Sequence, residues 1–397
     1  MLKVHQNIDD SIFDSSAYHI NKKYLIIVGA WPYLTPGKRK LMWLAINLAL
    51  FTVWIPQLIH IIVIIDRKKE VIYCLMTYLC ASMGFNSSVN GLLNNGALKK
   101  LFDSLKENWN DLQSDDERTI FATYANYGKM FTVGLSISYY LVILSYIVSA
   151  LMPSMLHYYF TGNWTIPERN IFEAELFVDP VEYYWPLFIH GIIIAFVAIW
   201  ILLAYDCFFI MIVLYCCGMF SVLLHKIEQM DTELYNYSYD QQLALEKIEE
   251  IVTYHLKCLE FAQKVEDFFC IQYVIQLLIN TIVISVCGSQ VINIADESPL
   301  DIFRYTYVAG SVIFRLSLTN VCGQSVHDRS LRVYEQLIHR NWYEYPIQIR
   351  KLFIVLYNRS VEPCNLTAGK MVNLNLETFS KLMKTALSYC MMIIQTQ

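Results

Sequence analysis

The chain has 397 residues, of which 56% are hydrophobic and only 16% are charged, and its mean hydropathy is +0.37. A soluble domain carries about a quarter charged residues, so this composition excludes an ordinary soluble protein and indicates a membrane protein. The net charge is only −5 and no basic patch with interleaved aromatic residues occurs, so we expect no nucleic-acid partner.

Seven apolar blocks are long enough to cross a bilayer, which takes about 20 residues. The sequence therefore predicts an all-α membrane protein with seven transmembrane helices and one membrane domain over residues 1–397. Residues 1–40 precede the first span, and a short apolar stretch in them, Tyr24–Trp31, predicts a re-entrant or interfacial segment. The predicted spans are Leu41–Ile65, Val71–Leu93, Met130–His157, Trp185–Cys217, Phe268–Ile294, Ile302–Gly323 and Asn373–Ile394.

Lysine and arginine are distributed unequally between the two sides of these spans. The N-terminal segment and the connections after spans two, four and six hold 22 of them, whereas the alternate connections hold four. Loops rich in Lys and Arg stay in the cytoplasm. The N-terminus is therefore predicted to be cytoplasmic and the C-terminus extracellular, opposite to a G-protein-coupled receptor. Among the N-glycosylation sequons we predict modification only at Asn163, in the long outer connection.

Three spans are predicted to continue below the membrane as helices. Span four has no helix breaker before Met230, and Leu243–Asp267 repeats apolar residues near a period of 3.6 and leads into span five. Val333–Asn358 holds another helical stretch after Pro346, and a shorter pattern lies within Leu98–Ala125. Amphipathic faces in water need a partner, so we expect these segments to pack within the subunit, between subunits or on another protein.

No catalytic constellation, metal site or cofactor site is predicted. The nine histidines are dispersed, no Cys and His spacing is typical of zinc, and no glycine-rich phosphate loop occurs. We therefore expect no enzyme activity. Two charges, Asp206 and Arg315, fall within predicted spans. They either pair with each other or face water near the cytoplasmic side.

The last span carries one polar stripe on an otherwise apolar helix. Residues spaced by 4, 3, 4 and 4 positions lie on a single face of an α-helix. Such a stripe either lines a water-filled path or packs against another helix, since small polar residues also mediate helix–helix contacts. The stripe consists of Lys381, Thr385, Ser388, Met392 and Thr396.

Roughly the last eighty residues carry motifs that resemble the C-terminal signature of insect odorant receptors. The signature residues here are Thr367-Ala368-Gly369-Lys370, Phe379, Thr385 and Ser388-Tyr389 before an apolar run. Further motifs of the family occur upstream of these residues and in the family's order. They are Cys322-Gly323, Ser330, Trp342-Tyr343-Glu344, Pro346 and Pro363. Gly29-Ala30-Trp31-Pro32 resembles that family's Gly-x-Trp-Pro motif ahead of the first span.

The resemblance implies an odorant-gated, non-selective cation channel in the plasma membrane, by analogy in a sensory neuron dendrite. Its partners would be the family's shared co-receptor in a heterotetramer, small volatile organic ligands, permeant cations and membrane lipids. Residues 326–370 would form a cytoplasmic anchor between subunits, and residues 371–397 the pore-lining helix. The implied pore and gate residues are Thr385, Ser388, Met392 and Thr396, and the implied interface residues are Trp342, Tyr343, Pro346 and Gln395.

The family's ligand pocket lies in the outer halves of spans two, three, four and six. An enclosed, aromatic-lined cavity suits a small apolar ligand, and 14% of this chain is aromatic. The candidates at those positions are Tyr73, Thr77, Tyr139, Ile143, Tyr146, Phe196, Trp200, Tyr305, Tyr307 and Ser311.

Two alternatives accompany this interpretation. The nearest is a gustatory receptor channel of the same superfamily, whose terminal motif is Thr-Tyr, five apolar residues and Gln-Phe. Ser388-Tyr389, Cys390–Ile394 and Gln395-Thr396 match its spacing but lack its Thr and Phe. The other is a transporter or metabotropic receptor. Transporters tend to show broken helices and paired repeats, which this sequence lacks.

Overall fold

The fold is an assembly of long helices with one small β-hairpin near the C-terminus. The computed structural model describes residues 13–396 apart from 113, 168–169, 237–240 and 294–298, and of residues 68–69, 231–236, 241 and 396 it describes only the helical backbone. The described helices are α1 (His19–Ile27), α2 (Pro36–Val63), α3 (Lys68–Leu93), α4 (Asn95–Asn110), α5 (Asp115–Thr161), α6 (Tyr184–Asn236), α7 (Gln241–Asn293), α8 (Pro299–Ile338), α9 (Ile347–Ser360) and α10 (Leu376–Thr396). A short 3-10 helix (Trp342–Glu344) and the strands β1 (Thr367–Ala368) and β2 (Val372–Asn373) complete the set.

Seven helices correspond to the seven predicted spans, and the all-α fold class is confirmed. Four of them, α2, α5, α6 and α7, are by length and composition apolar enough to cross a membrane. The other three, α3, α8 and α10, are also long enough but carry more polar residues. Many of those polar groups are bonded to other helices, as Ser87 of α3 is to Gln272 and Gln276 of α7. Polar contacts of this kind hold helices together where lipid offers no hydrogen-bond partner.

The predicted helical extensions of spans four, five and six are confirmed, because α6, α7 and α8 continue without a break well past their apolar segments. The structure adds one helical extension that the apolar pattern did not indicate. Helix α5 begins at Asp115, 15 residues before the predicted span at Met130. A capping box starts it: the Ser114 hydroxyl accepts from the Glu117 backbone N–H at 3.1 Å, while Glu117 accepts from the Ser114 N–H.

A buried lysine joins three of these extensions. Lys226 of α6 donates to Glu117 of α5 at 2.6 Å and to Glu250 of α7 at 2.7 Å. Burial alone would raise the pKa of the Glu250 carboxyl, but the bonds to Lys226 outweigh it and lower this pKa. The pKa of Lys226 is raised because its two carboxylate partners outweigh its own burial. The extensions therefore pack against each other within the subunit.

Helix α6 forms the centre of the bundle. Every residue from 201 to 220 is buried, and apart from Asp206 the sequence there is apolar on all sides, as expected for a helix enclosed by neighbours. It packs against α5, α7 and α8 as well as α1, α2 and α3. Any charge on this stretch must therefore be neutralised inside the protein.

One ion pair meets that requirement. Arg315 of α8 makes a two-pronged contact with Asp206 of α6, with Nε–Oδ2 at 2.7 Å and a terminal N–H to Oδ1 at 3.1 Å. The Tyr139 hydroxyl of α5 donates to the same Oδ2 at 2.7 Å, and Arg315 also contacts the Asn280 amide oxygen of α7 and the Met83 sulfur of α3, each at 3.2 Å. Of the two predicted alternatives for these charges, the structure shows that they pair with each other. Five helices meet at this ion pair.

We predict that Asp206→Asn destabilises the fold by about 3–5 kcal/mol, because it leaves Arg315 buried without an anion. Replacing both charges, as in Asp206→Leu with Arg315→Met, should restore most of that loss. The measurement is the thermal midpoint of detergent-solubilised protein, followed by fluorescence-detected size exclusion. Asp328→Asn, at an exposed carboxylate of α8, is the control. A midpoint for Asp206→Asn equal to that of the control would contradict the prediction.

Candidate ligand cavity and pore helix

An apolar cavity of about 90 Å³ lies at the end of the bundle that carries the 162–183 connection. A single water needs roughly 10–15 Å³, so the cavity has room for a small organic molecule. Helices α2, α3, α5, α6 and α8 and the connection after α5 form its wall. The lining residues are Leu50, Val53, Trp54, Gln57, Thr77, Cys80, Ala81, Val142, Ile143, Tyr146, Ile171, Phe172, Ile194, Ala195, Ala198, Ile199, Leu202 and Val308.

One polar pair interrupts this apolar wall. The Thr77 hydroxyl donates to the Cys74 carbonyl at 3.0 Å and accepts from the Gln57 side-chain amide at 2.7 Å. Because the Thr77 proton is already used, Gln57 must present its N–H to Thr77. Its other amide atom, Oε1, is buried and makes no hydrogen bond. The wall therefore contains an acceptor that a bound molecule with an O–H or N–H could satisfy.

Three of the ten predicted ligand residues line this cavity: Thr77, Ile143 and Tyr146. The other seven lie elsewhere in the bundle. The Tyr139 hydroxyl donates to Asp206, and the Ser311 hydroxyl accepts from Ser138 at 2.9 Å. The rest are Tyr73 and Tyr305, which pack around a buried arginine, Phe196 and Trp200, which pack with Tyr140, and Tyr307, which packs on Phe303.

The buried arginine is Arg304 of α8, only 2% exposed. Its guanidinium carbon lies 4.3 Å from the ring centre of Tyr73, 4.8 Å from Tyr305 and 5.4 Å from Tyr146. It also forms an ion pair with Asp301 at 3.2 Å. Ring faces attract a desolvated cation, and this attraction turns Tyr73 and Tyr305 toward the arginine rather than toward the cavity.

Two elements of the wall supplied none of the predicted ligand residues. The first is the end of α2, with Leu50, Val53, Trp54 and Gln57, and the second is Ile171-Phe172 in the connection after α5. A signal existed for each. Gln57 is an amide within an apolar span, which marks a functional candidate, and Ile171-Phe172 is an apolar pair directly before Glu173-Ala174-Glu175.

The predicted pore stripe is exposed on α10. Lys381, Thr385, Ser388 and Met392 face outward, whereas Ala386 and Cys390 are buried against the rest of the subunit. Helix α10 packs mainly on α7 and also on α8. The side chain of Thr396 lies outside the described part of the chain. A helix held on one face leaves its polar stripe available to a neighbouring subunit or to water.

The Thr367–Lys370 motif forms a hairpin that attaches α10 to the bundle. Gly369 has φ +66° and its N–H donates to the Cys270 carbonyl of α7 at 3.0 Å. At Gly323 of α8, an added Cβ would lie 2.1 Å from the Leu374 carbonyl oxygen. Both glycines are therefore required for close packing of the hairpin, and these motif residues position the helix that follows.

The predicted interface residues are on the surface of the subunit. Trp342 stacks on Phe353 of α9 with ring centres 6.1 Å apart, while Tyr343, Pro346 and Gln395 are exposed. The outer face of α9 is apolar and exposed at Ile347, Ile354 and Val355. The predicted glycosylation residue, Asn163, is also exposed. An interface role and a glycan at these positions remain predictions.

The comparison with protein families identifies one match. A family model described as 7tm Odorant receptor matches residues 70–387. Odorant receptor 9a of Drosophila melanogaster is 21% identical over 228 residues, which cover 57% of this chain and 55% of that protein. Odorant receptor 13a of the same species is 24% identical over 186 residues, or 44% of each chain. The chain spans about half the length of the curated relatives it matches.

Solved structures share the whole fold. The insect olfactory receptor OR5 from Machilis hrabei, in complex with eugenol, aligns with a TM-score of 0.79 at 14% identity, over 98% of this chain and 100% of the other. A second structure of the same receptor aligns with a TM-score of 0.77. At this identity the likeness is one of fold.

We predict that Gly323→Ala detaches the hairpin and loosens α10, because the new methyl group collides with the backbone of residue 374. Gly310→Ala on the same helix is the matched control, since a Cβ there meets no atom within 4 Å. Hydrogen–deuterium exchange of residues 376–396 in detergent should rise in Gly323→Ala only. Equal exchange in the two variants would show that the close contact does not hold the pore helix.

Proposed function

Because this chain belongs to the 7tm odorant receptor family, we propose that it is a subunit of an odorant-gated, non-selective cation channel. The single observation that carries the proposal is the polar stripe of α10, which stays exposed while the opposite face is packed. In a tetramer of such subunits this stripe faces the central axis and lines the pore. Met392 then supplies an apolar ring toward the end of the helix, and apolar rings can gate by dewetting.

The proposed ligand is a small volatile organic molecule bound in the cavity at the end of the bundle. The wall is mostly apolar and includes the polar pair of Gln57 and Thr77, a composition suited to an odorant of mixed character. One related receptor was solved with eugenol, and that compound is a reasonable first probe here. The acceptor on Gln57 favours ligands that carry one hydroxyl group.

Helix α8 provides the connection from cavity to pore. Val308 lines the cavity, Arg315 lies in the central ion pair, and Gly323 holds the hairpin that precedes α10. Residues 308 and 323 are about 22 Å apart along the helix. We propose that ligand binding favours a slightly different position of α8 and so shifts the population toward an open arrangement of α10. A ligand shifts this equilibrium only through its differential affinity for the two states.

The proposed assembly is a heterotetramer with a co-receptor subunit in the plasma membrane of a sensory neuron dendrite. Residues Trp342, Tyr343 and Pro346 and the exposed apolar face of α9 supply contact area for a cytoplasmic anchor. Gln395 is placed for a contact nearer the pore. The excess of Lys and Arg on one side supports an N-terminus in the cytoplasm. In that orientation the cavity opens toward the exterior, where Asn163 can accept a glycan.

Cation current is the direct test of the channel. Cells that express this chain with an insect co-receptor should pass current when exposed to a panel of volatiles that includes eugenol, and the current should persist in excised patches without nucleotide. Strong ligand-evoked current from this chain alone would favour the gustatory-type homomer. Current that disappears on excision would point to a metabotropic receptor.

Thiol accessibility tests the pore face itself. Thr385→Cys and Ser388→Cys should react with a charged thiol reagent in the conducting state and reduce the current. Ala386→Cys, one residue away but 1% exposed, is the matched control, and the unsubstituted chain controls for native cysteines. If the two pore-face variants react no faster than Ala386→Cys, α10 does not line the water-filled path.

We predict that Gln57→Leu discriminates between ligands with and without a donor. Loss of a hydrogen bond with a buried acceptor is worth about 1–3 kcal/mol, so half-maximal current should need roughly 5- to 150-fold more alcohol. The methyl ether of the same alcohol, which has no donor, should change little. Equal shifts for alcohol and ether would mean that Gln57 shapes the cavity without bonding the ligand.

A further inference from the structure

Three side chains that suit a transition metal meet beside the cavity. His60 lies in the last turn of α2, Cys74 on α3, and Glu173 in the connection after α5. One nitrogen, one sulfur and one carboxylate oxygen from them all lie within 4.8 Å of one another. The three residues are far apart in sequence, so no spacing pattern could have indicated the cluster.

The cluster is held in place by the backbone around it. The Cys74 sulfur is fully buried and lies 3.9 Å from the Glu173 carboxylate. The Nδ1 atom of His60 is buried without a hydrogen bond, and the Glu175 carboxylate lies 3.6 Å from it. The Glu175 N–H donates to the Pro56 carbonyl at 3.2 Å, which ties the connection to α2. A second carboxylate, that of Glu175, thus lies near the His60 ring.

The donor set has the chemistry of a zinc site. Zn²⁺ takes imidazole nitrogen, thiolate sulfur and carboxylate oxygen in a tetrahedron with bonds of about 2.0–2.3 Å, so donor atoms lie roughly 3.3–3.8 Å apart. A contraction of about 1 Å in the longest separation brings this cluster into that range. Cys74 binds as thiolate, and its proton passes to solvent when the metal enters.

Each ligand adjoins a wall of the cavity. His60 lies one turn after Gln57 on α2, and Cys74 lies one turn before Thr77, whose hydroxyl bonds the Cys74 carbonyl. Glu173 directly follows Ile171-Phe172, which cover the cavity from the connection. A metal bound to all three would fasten this cover to α2 and α3.

We propose that His60, Cys74 and Glu173 form a zinc-type metal site that clamps the connection over the ligand cavity. Bound metal limits the movement of Ile171-Phe172 that lets a ligand enter and leave. Metal at the exterior therefore slows both the onset and the decay of ligand-evoked current. The binding part of this inference stands without the channel, whereas the effect on current rests on the proposed function.

Binding is tested first on purified full-length protein in detergent, with Zn²⁺ alone and Cd²⁺ alone. Zn²⁺ should raise the thermal midpoint, and Cd²⁺ should produce a cadmium–thiolate absorption band. In Cys74→Ser, His60→Asn and Glu173→Gln the metal concentration for half effect should rise at least about tenfold. His60 is partly exposed, so His60→Asn keeps the test valid if Cys74→Ser does not fold. His157→Asn, an exposed histidine at the same end, is the control.

Currents are then recorded from cells with and without Zn²⁺ outside. Slower onset and decay that vanish in His60→Asn but persist in His157→Asn support the clamp. No thermal shift, or a shift unchanged in all three ligand variants, overturns the site. Binding that leaves the current kinetics of a working channel unaltered overturns the clamp. Binding in a protein that passes no current under any ligand counts against the proposed channel and leaves the metal site intact.

Discussion

The ion pair of Arg315 and Asp206 is the constraint on which the arrangement of the bundle depends. Neither charge can face lipid without a large cost in free energy, and α6 is enclosed on every side where Asp206 lies. The Arg315 guanidinium must therefore point into the bundle, and polar groups of neighbouring helices must lie within bonding distance of it. Tyr139, Asn280 and Met83 do so from three further helices. Directional bonds fix the rotation and height of each helix in a way that apolar packing alone does not.

The same helix that carries Arg315 also connects the cavity with the hairpin before α10. Its first half contributes Val308 to the cavity, and its second half contains Gly323, against which the hairpin before α10 is packed. Between these points the helix is unbroken and pinned to α6. In the proposed gating, a change at the cavity would therefore reach α10 through the rigid displacement of one helix, because packed protein interiors switch between discrete arrangements rather than deform gradually.

Sequence patterns predicted the helices well and the cavity only in part, for a physical reason. Span length and a period of 3.6 are local properties, so α6 and α7 were predicted nearly to their ends, whereas the predicted span six stops at Gly323 and α8 continues to Ile338. The start of α5 was missed because a capping box, Ser114 with Glu117, lies outside the apolar block. The cavity wall depends on which way each side chain turns. Tyr73 turns toward Arg304, and no periodicity reveals that partner. The first span was likewise left out of the predicted cavity, although Gln57 within its apolar run was a signal for it.

In the proposed pore, the hydroxyl groups of α10 bear on ion selectivity. Thr385 donates to the Lys381 carbonyl at 2.9 Å and Ser388 to the Lys384 carbonyl at 3.0 Å. Each hydroxyl proton is thus bonded to the helix backbone, and the lone pairs of each hydroxyl oxygen point away from the helix. In the proposed pore, a lumen built from such oxygens would carry a weak negative potential that repels chloride and admits sodium, potassium and calcium alike, since Lys381 on the same face is paired with Glu377. Because it offers no ring of carbonyls to replace a hydration shell, ions would pass with their water, and size rather than identity would decide which of them cross.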